Sequence, residues 1–199
     1  MSHPLPKERI TDARLRESEI KKENVYRDSL DFYLIKARSV VSSSSNVKDL
    51  IKEYQSILTS NLDQKSIIAA EYGLVLSYKK LKNFPIAFKA LRNLLDQLPD
   101  NLIFQTTLME LHLAEENNFE AVSVGETLLG LNQDNYAISK ILARAYLQNN
   151  QPKDAEGILI ELSRNKPSDP SVWYELAEAQ GLSGNILGLH RSRAEFFML

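Results

Sequence analysis

A repeat of about 34 residues constrains this chain more than any other feature of its sequence. The segments that begin at Leu98, Asn132 and Lys166 follow one another at that spacing, and each carries Asn or Asp at its fourth position. Two further series keep the same step, one of alanine and one of leucine: Ala87, Ala121 and Ala155, and Leu74, Leu108, Leu142 and Leu176. A fixed period of this length is typical of stacked repeats, because each unit buries its apolar face against the next.

The pattern inside each period predicts a pair of helices. No segment sustains the alternation of apolar and polar residues that marks a half-buried strand. The chain contains seven Gly and seven Pro, and most of them lie where a helix should stop, as Pro99 and Pro167 do. Proline lacks the N–H that a helix interior needs. The small side chains of the alanine series allow the second helix of a pair to approach the first closely. We therefore predict an all-α protein.

The period also divides the chain. We predict a polar helix over residues 8–23 within a linker of residues 1–27, followed by a repeat array over residues 28–199. The array begins with a divergent hairpin over 28–60, whose helices are expected at 29–42 and 46–59. The other repeats are expected over 68–101, 102–135 and 136–169, with a truncated repeat over 170–199.

The composition argues against several classes of function. The formal net charge is -2, so no basic excess points to nucleic acid and no polybasic cluster points to a membrane surface. The chain has no Cys, which excludes disulfides and thiolate metal ligands. No apolar run approaches the roughly 20 residues of a membrane helix, and the N-terminus lacks the apolar core of a signal peptide. We expect a soluble protein.

The segment around Trp173, Leu176 and Ala177 resembles the tetratricopeptide repeat, in which an aromatic residue, a leucine and an alanine keep this spacing. The resemblance implies a right-handed α-solenoid of helix hairpins. Both ends of the chain also resemble bacterial periplasmic HExxH zinc metalloproteases of the type that enhances β-barrel assembly. The resemblance lies in Trp173–Gln180 with Gly184-Asn185 and Arg193–Phe197, and in the N-terminal His3-Pro4-Leu5-Pro6 segment.

This second resemblance implies an accessory domain that follows a protease domain. The expected role is a protein–protein interaction scaffold in the periplasm, in quality control or assembly of outer-membrane proteins. Its partners would be outer-membrane proteins, their assembly machinery or its own protease domain. We expect no cofactor in these residues, with zinc bound by the protease domain, and His3 is a candidate to cap that zinc site. A free-standing adaptor without any link to proteolysis is the alternative.

The chain itself lacks the residues of such a protease site. It has three histidines, His3, His112 and His190, which lie far apart, and none belongs to an H-E-x-x-H motif. Packing between helices is the expected role of His112, and solvent exposure is expected for His190. We therefore predict no catalytic residue and no metal ligand in this chain.

In tetratricopeptide arrays, fixed positions of each first helix line a concave groove. By that resemblance the predicted groove residues are Tyr72, Leu76, Lys79, Lys80, Ile103, Thr106, Glu110, Leu113, Lys140, Arg144, Leu147, Tyr174 and Glu178. Some chaperone-binding repeats hold C-terminal carboxylates with Lys and Asn at the positions of Tyr72 and Leu76, so this chain does not reproduce their clamp. Such a mixed surface suits a peptide held by a few anchors.

Two further expectations concern charge and self-association. Lys140 and Arg144 lie four residues apart and repel each other unless an anion lies between them. Pairing with Glu110 or Glu178 on adjacent helices is the favoured interpretation, and binding of a partner's carboxylate is the alternative.

The chain's last four residues are apolar, Phe196, Phe197, Met198 and Leu199. They predict a homodimer contact.

Overall fold

A computed structural model of the chain describes residues 29–199, which form ten helices and no strand. In chain order the helices are α1 Leu30–Ser43, α2 Val47–Leu58, α3 Gln64–Lys80, α4 Phe84–Gln97, α5 Leu102–Ala114, α6 Asn118–Leu131, α7 Tyr136–Gln148, α8 Pro152–Asn165, α9 Pro170–Ser183 and α10 Ile186–Met198. The predicted all-α solenoid is confirmed. The predicted polar helix over 8–23 and His3 lie outside the described residues.

The recurring Asn or Asp of the sequence period begins the first helix of each later repeat. Asn101, Asn135 and Asp169 each accept a hydrogen bond from a backbone N–H in the first turn of α5, α7 and α9, at 3.1, 3.2 and 2.9 Å respectively. Such a cap satisfies an amide that has no partner inside the helix. The sequence period therefore marks helix starts directly.

The turns inside the later helix pairs share a repeated backbone conformation that could not be predicted from the sequence. The residue at the same place in each turn has a positive φ: Lys82 at 57°, Glu116 at 67°, Asn150 at 58° and Gly184 at 82°. These positions follow one another at the spacing of the sequence period. Only the last is glycine, which adopts this conformation without steric cost. The other three hold a sparsely populated conformation, so the tight turn is imposed by the packing of the two helices it joins.

Packing follows the repeat along the whole array. The alanine series Ala87, Ala121 and Ala155 is completely buried. Another buried column runs through the first helices at the same step: Val41, Val75, Met109, Ala143 and Ala177. Because Val41 lies on α1, this helix continues the register of the later repeats in spite of its divergent sequence. Helix α1 packs on α3, as α5 packs on α7 and α7 on α9.

Among residues 29–199, no helix is long and apolar enough to cross a membrane. The division of the chain into a linker and numbered repeats stays a prediction.

Candidate protein-binding groove

Two columns of side chains run along one face of the first helices, and we call this surface the groove face. One column consists of Arg38, Tyr72, Thr106, Lys140 and Tyr174, and the other of Ser42, Leu76, Glu110, Arg144 and Glu178. Both keep the spacing of the sequence period. Hydrogen bonds and ion pairs along this face join α1, α3 and α5 to one another and α7 to α9, and α5 packs on α7, so the columns run along one continuous surface.

At the N-terminal end of the groove face, the Arg38 guanidinium joins three helices. It donates to the Tyr72 hydroxyl at 2.6 and 3.1 Å, to the Thr107 hydroxyl at 2.9 Å and to a Glu110 carboxylate oxygen at 2.8 Å. Lys79 forms an ion pair with the other carboxylate oxygen of Glu110. Helices α1, α3 and α5 are therefore held by a network in which one carboxylate serves two cations.

The electrostatics of this network favour its charged form. Burial raises the pKa of Glu110, but the ion pairs and hydrogen bonds with Lys79 and Arg38 outweigh burial, so its pKa lies below the usual value. Burial alone would lower the pKa of Arg38, yet Tyr72 and Glu110 raise it. Both groups remain ionised near neutral pH.

Three of the predicted groove residues lie beneath the surface. The Tyr72 side chain has no exposed area, and Leu76 and Thr106 are also buried. Tyr72 packs its ring against Phe104, with ring centroids 5.5 Å apart. These side chains shape the floor of the groove, and Arg38 stands over Tyr72. Sequence analysis missed Arg38 because it lies in the divergent hairpin, although its place one full period before Tyr72 was a usable signal.

In the middle of the groove face, both cations have partners on the next first helix, α9. Arg144 donates to Glu175 at 3.0 Å, and Lys140 binds Ser171 and lies 3.8 Å from Asp169. The interpretation that named Glu110 or Glu178 as the partners is wrong. The reason is geometric: a first-helix residue contacts the next first helix slightly less than one period later, which leads to Ser171 and Glu175.

The Asp169 carboxylate contacts three side chains in this middle section: Tyr136, Lys140 and Ser171. Hydrogen bonds from the Ser171 and Tyr136 hydroxyls lower the pKa of Asp169 to about 2, with a smaller contribution from Lys140. Lys140 also donates to the Tyr136 hydroxyl at 3.2 Å. The alternative that Lys140 and Arg144 await a partner's carboxylate receives no support from this arrangement, because both cations are already paired.

The C-terminal end of the groove face is open. Tyr174 is 59% exposed and Leu182 is 62% exposed, and both lie on α9 beside Glu178, which is also exposed. A cavity of about 560 Å³ lies between α9 and α10, lined by these three residues and by Arg193 and Phe196 among others. The ring centroids of Tyr174 and Phe196 are 5.8 Å apart. Aromatic, aliphatic and charged groups are thus accessible together at this end.

The remaining predicted residues lie at the sides of the groove face. Ile103, Leu113 and Leu147 are half-buried. Lys80 is exposed, and its ammonium donates to the carbonyls of Val41, Ser42 and Ser44 at 2.8, 2.9 and 2.9 Å. This contact satisfies carbonyls at the C-terminal end of α1 that have no partner inside the helix.

The histidines of the described chain match their expected roles. His112 packs against Phe88 with ring centroids 4.9 Å apart, and burial lowers its pKa. His190 is exposed. Within residues 29–199, no group of three or more His, Cys, Asp or Glu side chains is arranged to hold a metal ion.

The family profile described as "Tetratricopeptide repeat" matches residues 113–179. Solved structures with the same fold include a tetratricopeptide repeat protein from Parabacteroides merdae, with a TM-score of 0.63 and 14% identity, over 95% of this chain and 73% of that one. A kinesin-light-chain-type protein with TPR-like repeats from Podosopora anserina gives a TM-score of 0.64 and 20% identity, over 83% of this chain and 93% of that one. Identities this low show the fold alone.

Comparison with protein sequences identifies more specific relatives than the comparison of folds. The β-barrel assembly-enhancing protease of Escherichia coli is 31% identical over 203 residues, which cover 100% of this chain and 40% of the relative. The chain fits the C-terminal tetratricopeptide-repeat domain of that protease. The Yersinia pestis protein of the same name is 27% identical over 184 residues, covering 92% of this chain and 37% of the relative. The chain thus spans about two fifths of the length of these relatives.

Proposed function

We propose that this repeat domain is the protein-binding accessory domain of a periplasmic zinc metalloprotease that acts in quality control or assembly of outer-membrane proteins. The match to β-barrel assembly-enhancing proteases along the whole chain supports this proposal. Proteolysis, zinc binding and the periplasmic location would belong to the complete protein. The repeat domain contributes a surface that holds a protein partner close to the protease domain.

The observation that carries the proposal is the open C-terminal end of the groove face. Tyr174 and Leu182 expose large apolar surfaces along one side of α9, at the cavity of about 560 Å³. An aromatic side chain that can be desolvated at the centre of a contact is the usual anchor of a protein interface. Glu178 and Arg193 supply charged groups around it, which suit a polar rim.

The ion pairs elsewhere on the groove face explain why we place the apolar anchor at this end. Arg38 and Lys79 both bind the Glu110 carboxylate, and Lys140 lies beside Asp169. A partner that displaced these partly buried pairs would separate charges from their counterions, which costs free energy. Tyr174 can be covered without such a loss.

The test compares two exposed aromatic residues in the complete protease. Tyr174→Ala removes the proposed anchor, and Phe119→Ala removes a ring that is 71% exposed on α6, outside the groove face. Binding of an unfolded outer-membrane β-barrel protein, diluted from urea, would be measured for both variants. We expect Tyr174→Ala to weaken binding about tenfold, the effect of losing an anchor worth about 1.4 kcal/mol, and Phe119→Ala to leave it unchanged.

Equal affinities of wild type and Tyr174→Ala would move the binding surface away from this end of the groove. Loss of protease activity on a small peptide substrate in Tyr174→Ala would show that the change acts on the catalytic domain instead of on partner binding.

We also propose that the apolar end of α10 is a contact between two copies of the chain. Phe197 is 80% exposed, and Met198 and Leu199 are exposed beside it. Phe196 and Phe197 line the same cavity as Tyr174. A dimer through this end would cover one wall of the cavity, so self-association and partner binding would compete.

A further inference from the structure

A second cavity lies at the opposite end of the groove face and has a different chemistry. It has a volume of about 390 Å³ and lies where the C-terminal ends of α1, α3 and α5 meet. Four cationic side chains line it: Arg38, Lys79, Lys80 and Lys82. Three of them come from the last turn of α3 or from the turn that follows it. This concentration contrasts with the net charge of -2 of the whole chain.

The positive charge of this cavity is only partly balanced. Arg38 and Lys79 share one carboxylate, that of Glu110. The Lys80 ammonium is bound by three backbone carbonyls at the end of α1, which carry no formal charge. Lys82 forms no ion pair with any residue of the described part of the chain. Four cations therefore face one anion.

Hydrogen-bond donors remain available beside this charge. An ammonium group has three N–H donors, and Lys79 uses one of them on Glu110. The four hydrogen bonds of the Arg38 guanidinium leave one of its five N–H donors, on Nη1. Both groups can therefore donate to a further anion without leaving Glu110.

Apart from Ser42, the rest of the cavity lining is apolar. It consists of Val41 and Leu76, which are buried, and of Phe84 and Ala114. A volume of about 390 Å³ is at the lower end of the range for ligand cavities, which suits one or two residues of a polypeptide. A small inorganic anion would leave the apolar walls uncovered.

We propose that this cavity binds a carboxylate that lies next to a large apolar side chain on a partner polypeptide. The carboxylate would accept hydrogen bonds from Lys79 and Arg38, with Lys82 adding positive charge, and the apolar side chain would lie against Leu76 and Phe84. The proposal rests on the proposed function, because it names the ligand chemistry at the second end of the groove face. The carboxylate can belong to an acidic side chain or to the end of a chain.

The cavity differs from the carboxylate clamp whose positions are occupied here by Tyr72 and Leu76. Both of those residues are buried and neither offers a cation. The cations come instead from Arg38 on α1, from the last two residues of α3 and from the turn after it. Charge-assisted hydrogen bonds are roughly twice as strong as neutral ones, so the carboxylate should dominate recognition.

The experiment titrates the 199-residue chain with three acetylated tripeptides and follows its amide signals by NMR. Acetyl-Gly-Ala-Phe with a free carboxylate represents a chain end, acetyl-Gly-Asp-Phe-amide represents an acidic side chain, and acetyl-Gly-Ala-Phe-amide is the neutral control. We expect at least one acidic peptide to bind at least fivefold more tightly than the neutral one. Which of the two binds more tightly identifies the source of the carboxylate.

The matched variants are Lys82→Gln and Lys153→Gln, which each remove one exposed lysine, the second on α8 outside the cavity. We expect Lys82→Gln to weaken binding of the acidic peptide about threefold or more, and Lys153→Gln to leave its affinity unchanged. Equal binding of all three peptides, or equal effects of the two variants, would overturn the proposal. So would inorganic phosphate displacing the peptide at the peptide's own dissociation constant, since the apolar walls would then contribute nothing.

The carboxylate site and the proposed protein-binding function can be refuted independently of each other. The Tyr174→Ala test reports on the C-terminal end of the groove face and involves none of these four cations. An insensitive Lys82→Gln together with a sensitive Tyr174→Ala would therefore refute the carboxylate site and leave the protein-binding function standing.

Discussion

The two ends of the groove face carry the same residue types, glutamate and tyrosine, at equivalent backbone positions, but in different surroundings. At the N-terminal end, Glu110 is held by two cations. Two repeats later, the equivalent Glu178 is exposed, and within residues 29–199 it has no ion pair. The same contrast holds for Tyr72, which is buried under Arg38, and Tyr174, which is open. The glutamate and the tyrosine of the two columns therefore stabilise the array at one end, whereas the equivalent residues at the other end are exposed to a partner.

The largest expected effect tests how tightly each end is packed. A Cβ atom added at Gly73 of α3 would lie 2.4 Å from the Tyr54 ring, whereas one added at Gly181 of α9 meets nothing closer than Leu189 at 3.9 Å. We expect Gly73→Ala to lower the free energy of unfolding by about 2–3 kcal/mol through overpacking. Gly181→Ala should raise it by up to about 1 kcal/mol through helix propensity. Urea unfolding of both variants provides the measurement.

If Gly73→Ala were as stable as wild type, Tyr54 would have room to move, and the close packing of α2 on α3 would not be a source of stability. A crystal structure of that variant would show whether the ring had shifted.

The second prediction removes one carboxylate at each end. Glu110→Gln leaves Arg38 and Lys79 without their shared anion in a half-buried network, so we expect a loss of about 2 kcal/mol in the free energy of unfolding. Glu178→Gln, in the same column, should change it by less than about 0.5 kcal/mol, as is usual for surface substitutions. Chemical denaturation at neutral pH measures both. Similar losses in the two variants would abolish the contrast between the ends.

The third prediction concerns acid. The folded-state pKa of Asp169 is about 2, below its ordinary value of 3.8, so its contribution to stability is complete above about pH 4 and is lost as the pH falls towards 2. Glu110 also has a lowered pKa and loses its contribution in the same direction. We expect Asp169→Asn to flatten the decline of stability between pH 4 and pH 2.

Thermal unfolding at several pH values measures this slope, and Glu178→Gln serves as the control with an unchanged decline. An Asp169→Asn protein that lost stability with acid as steeply as wild type would show that its hydrogen bonds with Tyr136 and Ser171 do not distinguish the two charge states.

The smallest effect on stability is expected at the apolar end of α10. Phe197→Asp should change the free energy of unfolding by less than about 0.5 kcal/mol, because the side chain is exposed. The same change should abolish self-association, which light scattering measures at high protein concentration. Phe119→Asp, at another exposed aromatic residue, is the matched control. A wild-type chain that remained monomeric at every concentration would contradict the homodimer.

The sequence by itself determined the repeat, because a constant step of about 34 residues in leucine, alanine and the helix-capping Asn or Asp positions, without strand-like alternation, is typical of stacked helix pairs. It also placed the candidate surface on the first helices. The partners within that surface were decided by the tertiary structure. Arg38 covers the Tyr72 hydroxyl, so Tyr72 lies under the groove instead of contacting a partner. Asp169 lies beside Lys140, so Lys140 is already paired. Local periodicity fixes which residues share a face, but pairing between charged groups depends on the offset between neighbouring helices, and only their packing sets that offset.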